Sequence, residues 1–148
     1  MGTINKKVEF WREFYPDHKA TYSPKEEVEQ KITASHIQYN YPDLLAFHPV
    51  NESGGSGDAA YGAKLKALGR LAGISDWVIL EPRGGYGFAL IELKRNDRSK
   101  SRLNPEQKEI LEKARARGGW TAVAWGADAF EVALDYYLSL PLANITKA

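Results

Sequence analysis

Cysteine is absent from the 148-residue chain, which excludes disulfide scaffolds and metal sites built on thiolates. Long apolar runs are missing too, and none comes near the roughly 20 residues that a membrane-spanning helix needs. Residues 1–17 lack the apolar core of a signal peptide and carry charges throughout, at Lys6, Lys7, Glu9, Arg12 and Glu13. We therefore expect an intracellular protein without disulfides or membrane spans.

A strong excess of positive charge is also lacking, since 20 basic and 19 acidic residues leave a net charge of +1. A general, tight nucleic-acid binder often carries a larger excess. The charge is nevertheless uneven along the chain. One run holds a single acid, Asp97, among five basic residues: Lys94, Arg95, Arg98, Lys100 and Arg102. Such a run is often only a solvated loop, but here it directly follows a strand with candidate catalytic groups.

The pattern of apolar residues and breakers predicts one α/β domain over residues 23–148, preceded by an aromatic, charged arm over 1–22. The arm is either a short helix packed on the domain or an ordered extension. Ser23-Pro24 followed by acids predicts a helix over 24–40. Further signals predict helices over 59–71, 105–117 and 127–138, and strands over 44–48, 76–80, 88–94 and 121–125. Three glycines within residues 51–58 predict a loop.

The strand over 88–94 carries the clearest sign of chemistry. Its side chains alternate, so that Leu90, Glu92 and Lys94 share one face. A strand this apolar should be buried on both sides, which makes an acid and a lysine there unexpected. A hairpin with the strand over 76–80 would bring Asp76 beside them. The ordinary alternative is a structural ion pair on a half-exposed sheet.

Two carboxylates held side by side repel each other unless a cation lies between them. Hard divalent cations such as Mg²⁺ prefer a few carboxylates together with water and substrate phosphate oxygens. A cation of this kind can activate a water and polarise a phosphodiester. Lys94 could orient that water or offset the charge that develops on the phosphate. Asp76, Glu92 and Lys94 together therefore indicate metal-dependent phosphodiester hydrolysis.

Three sequence blocks around these residues resemble a known family. They are Gly73-Ile74-Ser75-Asp76, then Ile91-Glu92-Leu93-Lys94-Arg95, then Leu103-Asn104-Pro105-Glu106-Gln107. In order and spacing they resemble the VRR-NUC domain of the PD-(D/E)xK nuclease superfamily, over residues 23–138. The short stand-alone members of phages and bacteria are similar in length and share an Asn-containing loop, here over residues 48–52.

The resemblance implies a restriction-endonuclease-like α-β-β-β-α-β core, a central mixed sheet flanked by helices. It also implies Mg²⁺ or Mn²⁺ ligated by Asp76, Glu92 and the backbone carbonyl of Leu93, with Lys94 as the catalytic lysine. Family members carry a further acid early in the first helix, which here is Glu26, Glu27 or Glu29. Glu26 fits the family's E-x-x-x-Q pattern with Gln30, whereas the apolar periodicity of the helix favours Glu29 as the inward-facing acid. We place Glu26 first.

Gln107 admits two interpretations. With Asn104 as the N-cap it completes a capping box. It also lies one turn before Ile110 and Leu111, so it could share their inward face and reach a metal-bound water or a phosphate. The resemblance favours the second interpretation. His48, at the end of a predicted strand, is interpreted as packed or solvated.

The expected activity is that of a DNA endonuclease selective for branched structures such as Holliday junctions. We expect DNA contacts from Asn51, Arg95, Arg98, Lys100 and Arg102. Stand-alone domains of this type resemble junction-resolving homodimers encoded by bacteria or phages, and a two-fold dimer is the commonest oligomer. Two alternatives stay open: a DNA-binding subunit that does not cut, and a restriction or defence nuclease acting on plain duplex.

Overall fold

Residues 10–17, 21–50 and 59–143 are described by a computed structural model. Within them the chain forms five strands and four helices. In chain order these are β1 (Arg12–Phe14), α1 (Glu26–Asn40), β2 (Ala46–Phe47), α2 (Ala59–Ala67), β3 (Trp77–Ile79), β4 (Phe88–Lys94), α3 (Pro105–Ala116), β5 (Gly119–Trp125) and α4 (Ala127–Ser139). A short 3₁₀ turn, Arg98–Lys100, lies between β4 and α3.

The strands form a single mixed sheet in the order β1-β5-β4-β3-β2. β4 is central, parallel to β5 and antiparallel to β3. Its pairing places Ile91 opposite Trp77 and Lys94 beside Trp125. β4 has two strands on either side of it, so its backbone is paired along both edges. Its side chains are buried on both faces of the sheet, which explains why its sequence is almost wholly apolar.

Helices cover both faces of the sheet. On one face α1 and α4 pack Ile37 and Phe130 against Ile91 and Leu93 of β4. On the other face α3 packs on the sheet through its buried side chains, among them Leu111. Alternation along β4 places Leu90, Glu92 and Lys94 on this second face, which we call the α3 face. The predicted burial of β4 on both sides is confirmed, and all of its residues from Ala89 to Lys94 are buried.

A glycine allows the chain before β3 to approach the start of α3. Gly73 has a φ of +80°, and a Cβ there would come within 2.6 Å of the backbone carbonyl of Glu106. Only glycine combines this conformation with so close an approach. The contact brings the segment that carries Asp76 against the first turn of α3, where Gln107 lies.

The predicted α-β-β-β-α-β core is confirmed as α1-β2-β3-β4-α3-β5, with α2 inserted between β2 and β3. α1 begins at Glu26 instead of residue 24, because Lys25 is extended and occupies the N-cap position. α2 ends at Ala67, and the chain turns at Gly69, whose φ is +103°. No helix among the described residues is long and apolar enough to cross a membrane.

Two further predictions concern the arm and the glycine-rich loop. Residues 12–14 of the arm form a strand, not a helix, and pair in parallel with β5 in the same sheet. The boundary between an arm over 1–22 and a domain over 23–148 stays a prediction. The predicted loop over 51–58, which includes the expected DNA contact Asn51, lies outside the described residues.

Candidate active site

Asp76 and Glu92 meet across the β3–β4 hairpin. Trp77 pairs with Ile91, so the same register, extended by one residue, sets Asp76 opposite Glu92 with both side chains on one face. Asp76 is held in place by the backbone of β4, because its Oδ2 accepts a hydrogen bond from the N–H of Leu93 at 2.7 Å. The arrangement expected from the sequence is present.

Glu92 is a buried acid with one oxygen paired and one unpaired. Only 2% of the residue is exposed. Its Oε1 accepts a hydrogen bond from Nε2 of Gln107 at 2.7 Å and lies 3.5 Å from Nζ of Lys94. Its Oε2 is also buried, and no hydrogen bond reaches it from the described residues. An unpaired buried oxygen on a charged group is costly, and either a cation or a proton shared with Asp76 would stabilise it.

The two carboxyl groups have perturbed acidities. Burial raises the pKa of Glu92 well above its ordinary range, and the charge of Asp76 raises it further, whereas Lys94 lowers it. Burial also raises the pKa of Asp76, although the Leu93 N–H and a hydrogen bond from Glu92 act in the opposite direction. In the absence of a cation, the pair therefore tends to retain a proton.

Lys94 is buried with its ammonium directed into the same site. It is 6% exposed, and its Nζ donates to Oε1 of Gln107 at 3.0 Å. The hydrogen bond to Gln107 and the ion pair with Glu92 at 3.5 Å hold the ammonium in the site. An ammonium has three donors, so it can also donate to a phosphate or a water.

Gln107 fulfils both interpretations drawn from the sequence. Its backbone N–H donates to Oδ1 of Asn104 at 2.8 Å, and its Oε1 accepts from the N–H of Asn104 at 3.1 Å, which completes a capping box. The same side chain contacts Glu92 and Lys94. Helix capping thus fixes the amide that orients the acid and the lysine.

The three candidate acids of α1 lie in different places. Glu26 lies on the exposed first turn of α1, yet partial burial raises the pKa of its carboxyl and the charge of Asp76 raises it further, while Lys94 and Arg95 lower it. Glu26 therefore lies within electrostatic range of the site. Glu29 is 3% exposed, and its Oε1 accepts from the N–H of Ala127 at 3.4 Å, so it caps the start of α4. Glu27 is exposed and pairs with Lys31 at 3.1 Å.

The donor set suits a hard divalent cation. Asp76 and Glu92 supply carboxylate oxygens, one of them unpaired. The N–H of Leu93 faces Asp76, and the carbonyl of an extended residue points to the same side as its N–H. Among the described residues no group of three or more His, Asp or Glu side chains is placed to hold a metal ion. Two carboxylates, a carbonyl and water match the sparse protein ligation that Mg²⁺ accepts.

The predicted DNA contacts fall into two groups. The guanidinium of Arg95 donates to the carbonyls of Pro24 and Ser23, at 3.0 and 2.8 Å, so it anchors the segment before α1. Arg98 lies with its guanidinium 4.5 Å from the ring centre of Tyr15, and Arg98, Lys100 and Arg102 are exposed.

His48 has a more specific position than the sequence indicated. Its Nδ1 lies 2.6 Å from the backbone carbonyl of Asp76, although the residue as a whole is exposed. The pairing of β2 with β3, which places Phe47 opposite Val78, brings it there. No pattern in the sequence specified that pairing, and we identify His48 as a support for the Asp76 backbone.

Comparisons with known proteins agree with this geometry. No family model matches the sequence, and no curated protein matches it. One solved structure, of a VRR_NUC domain protein, is similar to this chain with a TM-score of 0.66 and 24% sequence identity, over 83% of this chain and 95% of that one. At this identity the likeness shows the fold. The chain therefore has an α/β, restriction-endonuclease-like fold, as predicted.

Proposed function

We propose that this protein is a metal-dependent endonuclease that hydrolyses DNA phosphodiester bonds. The observation that carries the proposal is the buried network of Glu92, Lys94 and Gln107 beside Asp76, with one oxygen of Glu92 left without a partner. Two buried carboxyl groups that face each other repel when both are ionised, and a divalent cation between them would remove that repulsion. The fold shared with a VRR_NUC domain protein supports the same conclusion.

Each residue has a distinct part in the proposed chemistry. Asp76, Glu92 and the carbonyl of Leu93 would hold Mg²⁺ or Mn²⁺, and Glu26 would add a carboxylate from the rim. A bound cation would supply positive charge that polarises the phosphodiester and lowers the pKa of an attacking water. Lys94, kept in position by Gln107, would orient that water or offset the negative charge that develops on the phosphate.

The proposed substrate is branched DNA, such as a Holliday junction, and the proposed assembly is a homodimer encoded by a bacterium or a phage. The nearly neutral net charge of +1 favours a limited, shaped footprint over tight general binding to duplex. Two cuts at a four-way junction are related by symmetry, which suits a two-fold dimer. A restriction or defence nuclease would share the active site and differ only in its preference for plain duplex.

A cleavage assay tests the function. End-labelled four-way junction, flap, single-strand and blunt duplex DNA are incubated with Mg²⁺, Mn²⁺ or EDTA. Wild type is compared with Asp76→Asn, Lys94→Ala and the control Lys31→Ala, an exposed position on α1. We expect metal-dependent cutting, strongest on the junction, that the two site variants lose and the control retains.

Other outcomes separate the alternatives. Equal or preferential cutting of blunt duplex would favour the restriction or defence type. Binding without cleavage under every divalent cation would favour a DNA-binding subunit. Full activity in Asp76→Asn or Lys94→Ala would show that cleavage does not depend on this site.

A further inference from the structure

A polar groove, separate from the candidate active site, lies on the α3 face of the sheet. Its volume is about 660 Å³. Its lining side chains come from β1 and the residues directly before and after it, from β5, from the segment between β4 and α3, and from α3. The ones that matter here are Trp11, Tyr15, Arg98, Arg102, Lys108 and Trp125. None of the residues assigned above to metal binding or to catalysis lines it.

The groove offers flat surfaces. Trp11 and Tyr15 are half-buried, so part of each ring remains accessible, while Trp125, 7% exposed, closes the wall. The guanidinium of Arg98 lies over the ring of Tyr15, at 4.5 Å from its centre. Unstacked nucleic-acid bases bind to such surfaces, on aromatic rings and on guanidinium planes.

The charge of the groove suits an anion. Arg98, Arg102 and Lys108 are basic, and Glu13 is the one acid that lines it within the described residues. The carboxylate of Glu13 already accepts a hydrogen bond from the hydroxyl of Tyr15. Arg102 and Lys108 are exposed at the opening. Flat rings beside basic side chains are the combination that proteins use to bind single-stranded nucleic acid.

The groove lies next to the candidate active site. Trp125 is the register partner of Lys94 on the neighbouring parallel strand, so their side chains share a face, with the strands about 4.8 Å apart. β1, flanked by Trp11 and Tyr15, is the next strand beyond β5. A polynucleotide that passes Lys94 toward this edge of the sheet would therefore enter the groove.

We infer that the groove binds a single-stranded stretch of the substrate next to the cleaved bond. Bases stack on Trp11 and on the Tyr15–Arg98 pair, and phosphates pair with Arg102 and Lys108. The inference rests on the proposed nuclease function and adds to it a contact with nucleotides that become unpaired at the branch point of the substrate. A base inside a duplex is already stacked on its neighbours and cannot occupy the groove.

Binding in EDTA tests the inference without any cleavage. Fluorescence anisotropy is measured for three labelled ligands of equal length: oligodeoxythymidylate, a strand whose central nucleotides are abasic, and blunt duplex. Stacking of one base contributes about 1–3 kcal/mol, which corresponds to about 5- to 100-fold in affinity. We expect the wild type to prefer the thymidylate over the abasic strand by such a factor.

Variants assign that preference to the groove. Trp11→Ala should reduce it, because only the Tyr15–Arg98 pair then remains for stacking, and Trp11→Phe should retain it. Arg102→Glu and Lys108→Glu should weaken binding of both single strands, while Lys31→Glu, on the opposite face, should change neither. Arg102 is exposed, so its variant carries the test if Trp11→Ala does not fold.

Two results would overturn the inference: equal affinity of the wild type for the thymidylate and abasic strands, or unchanged affinities in Trp11→Ala and Arg102→Glu. The test also separates this inference from the proposed function. Metal-dependent cleavage together with equal binding of both strands would contradict base stacking in the groove and support the nuclease function. Base-dependent binding without cleavage under any divalent cation would support base stacking in the groove and contradict the nuclease function.

Discussion

Replacing Glu92 by glutamine should stabilise the protein when no metal is present. The carboxylate is 2% exposed, has one oxygen without a partner and faces Asp76. Glutamine removes the charge, can still accept from Gln107 through its Oε1 and can donate to Asp76 through its amide. Since an unpaired buried charged oxygen costs about 1–3 kcal/mol or more, we expect a gain of about 1–3 kcal/mol at pH 8. For a chain of this length that raises Tm by about 3–10 °C.

The gain should depend on pH with a defined sign. The pKa of Glu92 is raised in the folded protein, by burial first and by Asp76 second. The wild type therefore keeps its full stability below the ordinary glutamate pKa of about 4.3 and loses stability as the pH rises through the folded-state value. The advantage of Glu92→Gln should be close to zero near pH 4 and should grow as the pH rises above the ordinary glutamate pKa.

The assay is thermal unfolding across this pH range, in EDTA and in excess Mg²⁺ or Mn²⁺. Exposed Glu112 of α3 provides the control, and Glu112→Gln should change Tm by less than about 1–2 °C. A cation at about 100 times its Kd adds roughly 2.7 kcal/mol, and it should do so for the wild type but not for Glu92→Gln. A Tm of Glu92→Gln at or below that of the wild type, at pH 8 in EDTA, would refute the reasoning.

Three further predictions concern neighbouring positions. Gly73→Ala should cost about 1–3 kcal/mol, because its φ is +80° and a Cβ would meet the Glu106 carbonyl at 2.6 Å; denaturant unfolding measures the loss. Gln107→Ala should lose about 1 kcal/mol of helix capping and also lower kcat at least tenfold, whereas a role limited to capping would leave kcat unchanged in the folded fraction. Glu26→Gln should weaken Mn²⁺ binding and cleavage, whereas Glu29→Gln should leave both nearly unchanged, since Glu29 caps α4; calorimetric titration and the cleavage assay distinguish the two.

The centre of the fold was predictable because the residues of β4 form a clear strand pattern. Its apolar residues fixed burial on both sides, and period-two alternation then set Glu92 and Lys94 on one face, as observed. The hairpin placed Asp76 opposite Glu92 through local pairing alone. The capping box of α3 was also predictable, because both of its residues, Asn104 and Gln107, lie within one helical turn.

Features that depend on long-range pairing were not predictable. β1 has three residues and pairs with β5 more than 100 positions away, so no local period identifies it as a strand. The two roles of Gln107 required the distance between α3 and β4 to be known. Arg95, whose contact with DNA stays a prediction, donates to the carbonyls of Ser23 and Pro24, a contact that no pattern near it in sequence indicates.

The most direct test of the proposed metal-dependent chemistry is a calorimetric titration of Mn²⁺ at pH 8 into wild type, Asp76→Asn and Lys94→Ala. If Asp76 and Glu92 ligate the cation and Lys94 acts on the substrate, the wild type and Lys94→Ala bind Mn²⁺ and Asp76→Asn does not. Retained Mn²⁺ binding in Asp76→Asn, at an affinity close to that of the wild type, would contradict the account.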